Sequence, residues 1–208
     1  MQKGLFVALE GNDGAGKTTA AQALLKRLKK EGFDVVLSRE PGGPAISEQI
    51  RSILLDPANK AMNPKTEALL YAASRTQHFY EVIQPALNEG KIVLCDRFLD
   101  SSIAYQGYGR NLGQKAIEEI NDFGLNHQRP DLTLFFKVPL SVSQKRMEKR
   151  GNLDRLDAES LGFHQRVREG FDVLSTAHPE KTIIIDAQKS PEEVADQAYQ
   201  AILDFISK

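Results

Sequence analysis

The sequence contains little cysteine, no tryptophan and no excess of charge of either sign. Its single cysteine among 208 residues excludes an internal disulfide and a multi-cysteine metal site. Cys95 stands in the apolar run IVLCD and is predicted to be a buried thiol in a reducing compartment. With 27 Lys and Arg against 28 Asp and Glu, the molecule as a whole does not attract nucleic acid or an anionic membrane. Any phosphate chemistry must therefore come from local groups of basic residues.

Long hydrophobic runs, internal repeats and low-complexity segments are also lacking. No apolar stretch reaches the ~18 residues of a membrane span, and the N-terminal MQKGLFVALE reaches Glu10 before a signal-peptide core could form. The 41% hydrophobic and 26% charged fractions are typical of globular proteins. We therefore expect a soluble, cytoplasmic protein of one domain over residues 1–208, with neither nucleic acid nor a membrane as its partner.

Five short apolar segments have the length and composition of strands. They lie at residues 5–10, 34–39, 91–97, 131–138 and 181–187. Their nearly continuous apolar character is typical of parallel strands that are covered on both faces. Helical patterns lie between and after them, at residues 17–30, 64–89 and 191–207, the last preceded by a capping box of Ser190 and Glu193. The pattern predicts an α/β fold, a five-stranded parallel sheet flanked by helices on both faces.

A phosphate-binding loop directly follows the first predicted strand. Residues 11–18, GNDGAGKT, match the G-x-x-x-x-G-K-[ST] motif of the P-loop NTPase fold, placed between a strand and a helix. The glycines let backbone N–H groups turn inward on phosphates, Lys17 supplies a charge for the β- and γ-phosphates, and Thr18 offers a hydroxyl to Mg²⁺. The predicted ATP-binding residues are Gly11, Asn12, Asp13, Gly14, Ala15, Gly16, Lys17, Thr18, Thr19 and Arg146.

Asp13 lies within this loop although a carboxylate facing a triphosphate would oppose binding. An ionised carboxylate accepts hydrogen bonds and donates none. We therefore expect Asp13 to face away from ATP and to accept a hydroxyl proton on the acceptor side, for example from a sugar. A solvated loop carboxylate is the alternative.

Two further strands end in residues suited to a second phosphate group. The second ends in REPGG (39–43) and the third in Asp96 and Arg97. Ligands of open α/β sheets bind at the carboxyl ends of strands, so Arg39 and Arg97 would emerge beside the P-loop if these strands flank the first one. Ion pairs at the strand ends, Arg39 with Glu40 and Asp96 with Arg97, are the structural alternative.

Taken in order along the chain, these motifs resemble those of bacterial thymidylate kinases. The resemblance covers nearly the whole chain, through FVALEGNDGAGKTT, REPGG, TEALLYAASRTQH (66–78), CDRFLDSSIAYQGYGR (95–110), PDLTLFF (130–136) and DRLD (154–157). It implies transfer of the γ-phosphoryl group of ATP to dTMP, giving dTDP on the path to dTTP. It also implies Mg²⁺ as cofactor and a homodimer.

The resemblance assigns a set of residues to the acceptor, and their chemistry suits thymine. Arg75 can only donate, so it would accept thymine O4 and repel the amino group of cytosine, whereas Gln106 can donate and accept at the N3 edge. Tyr71, one helical turn before Arg75, would stack on the base where the family usually has Phe, and packing in the core is the alternative. Tyr105 would lie near the sugar and exclude a ribose 2′-OH. The predicted dTMP-binding residues are Asp13, Arg39, Glu40, Pro41, Arg51, Tyr71, Arg75, Arg97, Ser102, Tyr105 and Gln106.

A basic segment after the fourth strand resembles the small lid of the family, at about residues 145–157. It carries Lys145, Arg146, Lys149 and Arg150, then Gly151, Asp154 and Arg155. In the family, a P-loop without arginine at its variable positions goes with a lid that supplies the catalytic arginine. Arg150 and Arg155 are the candidates for that role, and Arg146 is expected to pack on adenine. A solvated basic helix face is the alternative.

The predicted reaction needs no general base from the protein, because the second pKa of a phosphate monoester is about 6. Lys17 and a lid arginine would hold the transferred group, Arg97 would bridge the two phosphates and Arg39 would anchor dTMP. The predicted catalytic residues are Lys17, Arg97, Arg150 and Arg155, and the predicted metal-site residues are Thr18 and Asp96. Asp96 either binds Mg²⁺ through water or orients Arg97. The four scattered histidines show no metal spacing and receive no role.

Two other functions are compatible with a P-loop. Another P-loop deoxynucleoside kinase or nucleoside monophosphate kinase would have the same fold, and a deoxynucleoside kinase would need a carboxylate base such as Glu40 or Asp13. A P-loop ATPase switch would transfer nothing to a small acceptor, and it would leave Arg75, Gln106 and the basic lid without a purpose.

Overall fold

A five-stranded parallel sheet forms the centre of the fold. The computed structural model describes residues 4–150 and 154–207, without the side chains of residues 140, 144 and 148–150. The strands are β1 (Leu5–Glu10), β2 (Val35–Arg39), β3 (Ile92–Asp96), β4 (Leu132–Lys137) and β5 (Thr182–Asp186). Each of the five predicted strands is confirmed to within one residue at either end.

The strand order is β2-β3-β1-β4-β5, and all neighbours pair in parallel. The expectation for Arg39 and Arg97 depended on β2 and β3 both lying beside β1. Only β3 is adjacent to β1, because β3 lies between β1 and β2. The register nevertheless keeps the strand ends level, with Asp96 beside Leu9 on one side and beside Arg39 on the other. The segments that follow β1, β2 and β3 therefore meet at one edge of the sheet.

The helices confirm the predicted pattern and interrupt it at two places. The α-helices are α1 (Lys17–Lys30), α2 (Ala45–Leu55), α3 (Pro64–His78), α4 (Gln84–Asn88), α5 (Leu99–Ser102), α6 (Gln114–Leu125), α7 (Leu140–Arg150), α8 (Leu161–Ala177) and α9 (Pro191–Ile206). Two π-helical segments, Phe79–Ile83 and Ile103–Gly109, follow α3 and α5. The predicted long helix 64–89 is thus α3, a π-helical segment and α4. The predicted capping box before α9 is present.

The sheet is covered on both faces, as predicted. Alternate residues of β1 enter opposite cores, because successive side chains of a strand point to opposite faces. Phe6 lies in the core that also contains Phe163 and Phe171 of α8. Val7 lies in the other core, which is formed largely with α1 and α9. Cys95 is buried and free, as predicted, and burial raises the pKa of its thiol well above the ordinary value.

No helix within residues 4–150 and 154–207 combines the length and the apolar character that crossing a membrane requires.

Candidate active site

The P-loop joins β1 to α1 at the carboxyl edge of the sheet. Gly14 has a φ of 75°, and a Cβ there would lie 2.5 Å from the carbonyl oxygen of Ser143 in α7, so only glycine fits this turn. The buried Lys17 ammonium donates hydrogen bonds to the carbonyl oxygens of Gly11 and Asn12, both at 2.8 Å. Burial, together with the nearby Arg97, lowers the pKa of Lys17 to about 8. The loop therefore holds a desolvated cation that an incoming phosphate would stabilise.

Thr18 and Asp96 meet at the start of α1. The Thr18 hydroxyl donates to Asp96 Oδ2 at 2.6 Å. A hydroxyl and a carboxylate oxygen are ligands that Mg²⁺ accepts, so the pair fits the predicted metal site. Asp96 was predicted either to bind Mg²⁺ through water or to orient Arg97. The hydrogen bond to Thr18, the residue expected to bind Mg²⁺, favours the first role.

Asp13 is held by Arg97 and Tyr105. Arg97 Nη2 donates to Asp13 Oδ1 at 2.7 Å, and the Tyr105 hydroxyl donates to Asp13 Oδ2. Against the effect of burial, Arg97 and Lys17 hold the pKa of Asp13 well below its usual range. The hydroxyl that Asp13 accepts from is thus that of Tyr105, and the strand-end alternative of an Asp96–Arg97 ion pair is replaced by Asp13–Arg97.

Glu10 supports Arg97 through the Ser101 hydroxyl, and sequence analysis assigned Glu10 no role. Glu10 is buried, and its Oε1 accepts from the backbone N–H of Phe98 at 2.7 Å. Its Oε2 accepts from the Ser101 hydroxyl at 2.6 Å, and Arg97 Nη1 donates to that hydroxyl at 2.8 Å. Burial raises the pKa of Glu10. A carboxylate that ends an apolar strand was the signal that could have identified it.

Arg75 lies at the other end of the site and is 2% exposed. Its Nε donates to Glu40 Oε2 and its Nη1 to Asn121 Oδ1, both at 2.6 Å. Its Nη2 donates to the Phe98 carbonyl at 2.9 Å and to the Ser102 hydroxyl at 3.0 Å. These bonds use four of the five N–H groups of a guanidinium. Within the described part of the chain, the second N–H of Nη1 is the donor left for a ligand.

His78 continues this network behind Glu40. Its Nδ1 is hydrogen-bonded to Glu40 Oε1 at 2.9 Å, and its Nε2 to the Ser38 hydroxyl at 2.7 Å. Glu40, His78 and Cys95 are close enough together to hold a metal ion. However, Glu40 and His78 already use these ligand atoms in hydrogen bonds, so we interpret the group as support for Arg75. Sequence analysis assigned His78 no role, because its partners are distant in the sequence.

The predicted phosphate anchors Arg39 and Arg51 lie at the loop after β2. Arg39 forms an ion pair with Glu48 at 2.9 Å and is half exposed, so the alternative of an Arg39–Glu40 pair is not found. Arg51 Nη1 donates to the Pro41 carbonyl at 2.7 Å. Both arginines therefore face the same opening from neighbouring elements.

The predicted lid arginines have different surroundings. Arg146 is exposed on α7, and its guanidinium donates to the Gly14 carbonyl at 3.2 Å and to the Ala187 carbonyl at 3.1 Å. Arg155 is 5% exposed and points inward, with Nη1 2.7 Å from Glu67 Oε2. In this arrangement Arg155 does not reach the P-loop cavity. The side chains of Lys149 and Arg150, and all of Gly151, lie outside the described residues, so the catalytic lid arginine stays a prediction.

One cavity of about 730 Å³ contains most of the predicted residues. All eleven predicted dTMP-binding residues line it, and so do Lys17, Thr18, Thr19 and Asp96. Among the described residues, its lining includes six Lys or Arg side chains and four Asp or Glu side chains. Phe98, Ser101, Leu55, Asp154 and Leu156 also line it and were not predicted. The cavity thus joins a triphosphate loop at one end to an arginine, a tyrosine and an amide at the other.

A second, smaller cavity of about 170 Å³ adjoins the P-loop on the side of α9. Arg146, Ala187 and Lys189 line it together with Ala15 and Gly16 of the loop. The packing of Arg146 on adenine stays a prediction, for which this cavity gives a space.

The comparison with known proteins identifies the family. A family model described as thymidylate kinase matches residues 9–198. The chain belongs to the thymidylate kinase family. Relatives named thymidylate kinase include one from Halalkalibacterium halodurans, 47% identical over 209 residues and covering 100% of both chains. Another, from Latilactobacillus sakei, is 50% identical over 202 residues, covering 96% of this chain and 94% of the relative.

The structure is similar to that of a solved member of this family. It resembles the crystal structure of thymidylate kinase from Ehrlichia chaffeensis with a TM-score of 0.77 and 32% sequence identity, covering 96% of this chain and 99% of that one. The fold is therefore that of a P-loop NTPase, as predicted, and family membership makes the chain a kinase. It is consistent with the ATP-dependent phosphorylation of dTMP to dTDP.

Proposed function

We propose that this chain transfers the γ-phosphoryl group of ATP to dTMP, releasing dTDP and ADP. One observation carries the proposal: the P-loop lysine and every residue predicted to bind dTMP line the same cavity. A P-loop switch would need the triphosphate end of this cavity and not the other. The proposal therefore depends on a donor site and an acceptor site that open into one space.

The phosphate end would work through placed positive charges. Lys17 would hold the β- and γ-phosphates, and Arg97 would bridge the transferred group and the phosphate of dTMP. Arg97 is well suited to this position because Asp13 and Ser101 hold its guanidinium on two sides. Despite burial, Asp13 raises the pKa of Arg97 well above its ordinary value, so its charge persists in the site. Arg39 and Arg51 would bind the remaining oxygens of dTMP.

A magnesium ion would be held by the Thr18 hydroxyl and, directly or through water, by Asp96. It would neutralise phosphate charge when bound with ATP. Arg146, which already hydrogen-bonds the P-loop backbone, would pack on the adenine in the smaller cavity. Arg150 would complete the positive charge around the transferred group, since Arg155 is buried and paired with Glu67. We also propose that the protein is cytoplasmic, as expected from the sequence.

The base end would read thymine by the direction of its hydrogen bonds. Tyr71 is almost fully buried on α3 and would stack on the base. The N–H group left on Arg75 Nη1 would donate to thymine O4, and it would face the donor amino group of cytosine unfavourably. Tyr105, fixed by its hydrogen bond to Asp13, would close the space where a ribose 2′-OH would lie.

We predict that ADP release coupled to an indicator enzyme will be fastest with dTMP among dTMP, dUMP, dCMP, dGMP and thymidine. Faster turnover with thymidine would instead favour a deoxynucleoside kinase. ATP hydrolysis that no nucleotide or nucleoside acceptor changes would favour the ATPase switch. Formation of dTDP, measured by chromatography, is the direct confirmation that transfer and not hydrolysis has occurred.

The exposed apolar residues support a homodimer. Ile46 and Ile53 of α2, Leu69 of α3 and Phe123 of α6 are 51%, 48%, 56% and 93% exposed. These helices are neighbours, since α2 packs on α3 and α3 packs on α6. A group of large apolar side chains on adjacent helices is the surface that a second copy of the chain would cover.

The substitution Phe123→Asp is expected to shift the protein from dimer to monomer in sedimentation velocity experiments, because it places a charge in the proposed interface. Leu161→Asp is the matched control, since Leu161 is 60% exposed on α8, outside the α2, α3 and α6 group. This control should leave the dimer intact. A monomeric wild type, or an unchanged dimer in the Phe123 variant, would contradict the assignment.

A further inference from the structure

Glu67 is a buried carboxylate that joins three separate parts of the chain. It is 1% exposed on α3, one turn before Tyr71. Its Oε1 accepts from Gln106 Nε2 at 2.9 Å and from Arg110 Nε at 3.1 Å. Its Oε2 accepts from Arg110 Nη2 at 2.9 Å and lies 2.7 Å from Arg155 Nη1. Neither sequence analysis nor the proposed mechanism uses this residue.

The contact with Gln106 determines which way that amide faces. An ionised carboxylate can only accept, so the NH₂ group of Gln106 must be the part that faces Glu67. The carbonyl oxygen of the same amide then lies on the side away from Glu67. Gln106 lines the large cavity, and within residues 4–150 and 154–207 no donor is hydrogen-bonded to this oxygen. The Gln106 amide could otherwise offer the base either a donor or an acceptor, and the contact with Glu67 leaves it only the acceptor oxygen.

We propose that Glu67 is a positioning residue that sets pyrimidine specificity by holding the Gln106 carbonyl oxygen toward the base. This inference rests on the proposed function, since it concerns the acceptor of that reaction. Thymine carries a hydrogen at N3 and can donate it to the Gln106 oxygen. Cytosine has an unprotonated N3 that would face this oxygen without a proton between them. The Gln106 oxygen and the Arg75 donor thus reject cytosine at two adjacent positions.

The surroundings of Glu67 keep it ionised, which the orientation of Gln106 requires. Arg110 and Arg155 place two positive charges against one carboxylate. Although burial opposes ionisation, hydrogen bonds from Arg110 and Gln106 lower the pKa of Glu67 below its ordinary value. Glu67 therefore stays an acceptor at neutral pH. A protonated carboxyl group could donate to the Gln106 oxygen and release the amide to turn.

The test is a double-mutant cycle between Glu67 and Gln106, read as the dTMP to dCMP ratio of kcat/KM. The substitution Glu67→Gln supplies both a donor and an acceptor, so Gln106 is no longer held in one orientation, and we expect the ratio to fall by about tenfold. In a Gln106→Ala background, the same substitution should leave the ratio unchanged. An equal fall in both backgrounds, or no fall in the first, would overturn the proposal.

Glu159→Gln is the matched control for the positive charges. Glu159 Oε1 lies 2.6 Å from Arg110 Nη2, and Glu159 is not among the partners of Gln106. It should retain the wild-type ratio of kcat/KM. A comparable fall in this variant would show that Arg110, and not the amide orientation, controls specificity. Calorimetric binding of dTMP and dCMP without ATP gives the ratio even if the wild type proves not to transfer phosphate, so failure of the two proposals can be distinguished.

Neutron diffraction from a deuterated crystal of the wild type with dTMP provides a second measurement if Glu67→Gln does not fold. The two amide deuterons of Gln106 are expected on the side of Glu67, with the oxygen facing the base. Amide deuterons facing the base would overturn the proposal.

Discussion

Replacement of Lys17 by alanine is expected to lower kcat by about 10²-fold to 10³-fold or more. We propose that Lys17 holds the β- and γ-phosphates, and charge stabilisation of a transferring group is worth several kcal/mol. In the part of the chain that the structure describes, the buried side chain donates to the carbonyl oxygens of Gly11 and Asn12, so water cannot replace it easily. Steady-state and single-turnover transfer from ATP to dTMP are the measurements.

Lys26→Ala is the matched control for this experiment, since Lys26 lies exposed on the same helix. It should leave kcat and both KM values near the wild type. Binding of dTMP, followed by calorimetry, should survive in the Lys17 variant because Lys17 is hydrogen-bonded to the P-loop backbone, at the triphosphate end of the cavity. Near-normal turnover in that variant would remove the P-loop from the mechanism.

The substitution Arg75→Gln is expected to lower the free energy of unfolding by about 3–5 kcal/mol, because it leaves the buried Glu40 without its cation. Arg75 and Glu40 are 2% and 3% exposed at the side chain, and they are joined at 2.6 Å. Thymine selectivity should fall at the same time, since glutamine can accept from the cytosine amino group. Urea unfolding measures the first effect, and the dTMP to dCMP ratio of kcat/KM measures the second.

Two comparisons separate these effects. Adding Glu40→Gln to the Arg75 variant removes the unpaired charge, so part of the lost stability should return while selectivity stays low. Arg168→Gln removes an arginine that is 39% exposed and should change stability by less than about 1 kcal/mol. An unchanged nucleotide ratio in the Arg75 variant would exclude that residue from base reading.

The fold could be predicted closely because its signals are local. Each strand is a short apolar segment, and the P-loop is a contiguous stretch of eight residues between β1 and α1. Glycines, a lysine and a threonine in that spacing are suited to binding phosphate, so the sequence predicts the donor site there. The strand order did not follow, because a strand that comes later in the chain can be inserted between two earlier ones, as β3 is.

The residues predicted to bind dTMP line one cavity, but the contacts among them were not predicted. Arg75, Gln106 and Tyr71 were identified by donor and acceptor chemistry and by resemblance, and all three line the cavity. Sequence analysis did not predict the contacts that hold them. Glu40 is separated by 35 residues from Arg75, and Glu67 by 39 residues from Gln106. Such pairs have no spacing that a single sequence reveals.

A single cysteine and balanced charge already excluded an internal disulfide, a multi-cysteine metal site and a general polyanion binder. Local motifs then predicted the strands, the phosphate loop and the kinds of side chain at each end of the site. Tertiary structure alone decided how those side chains are oriented: that Asp13 faces Arg97 and Tyr105, that Arg155 is turned inward to Glu67, and that Gln106 presents its oxygen. A short motif consists of residues that are adjacent in the sequence. The direction of a hydrogen bond instead depends on which distant segments are brought together by packing.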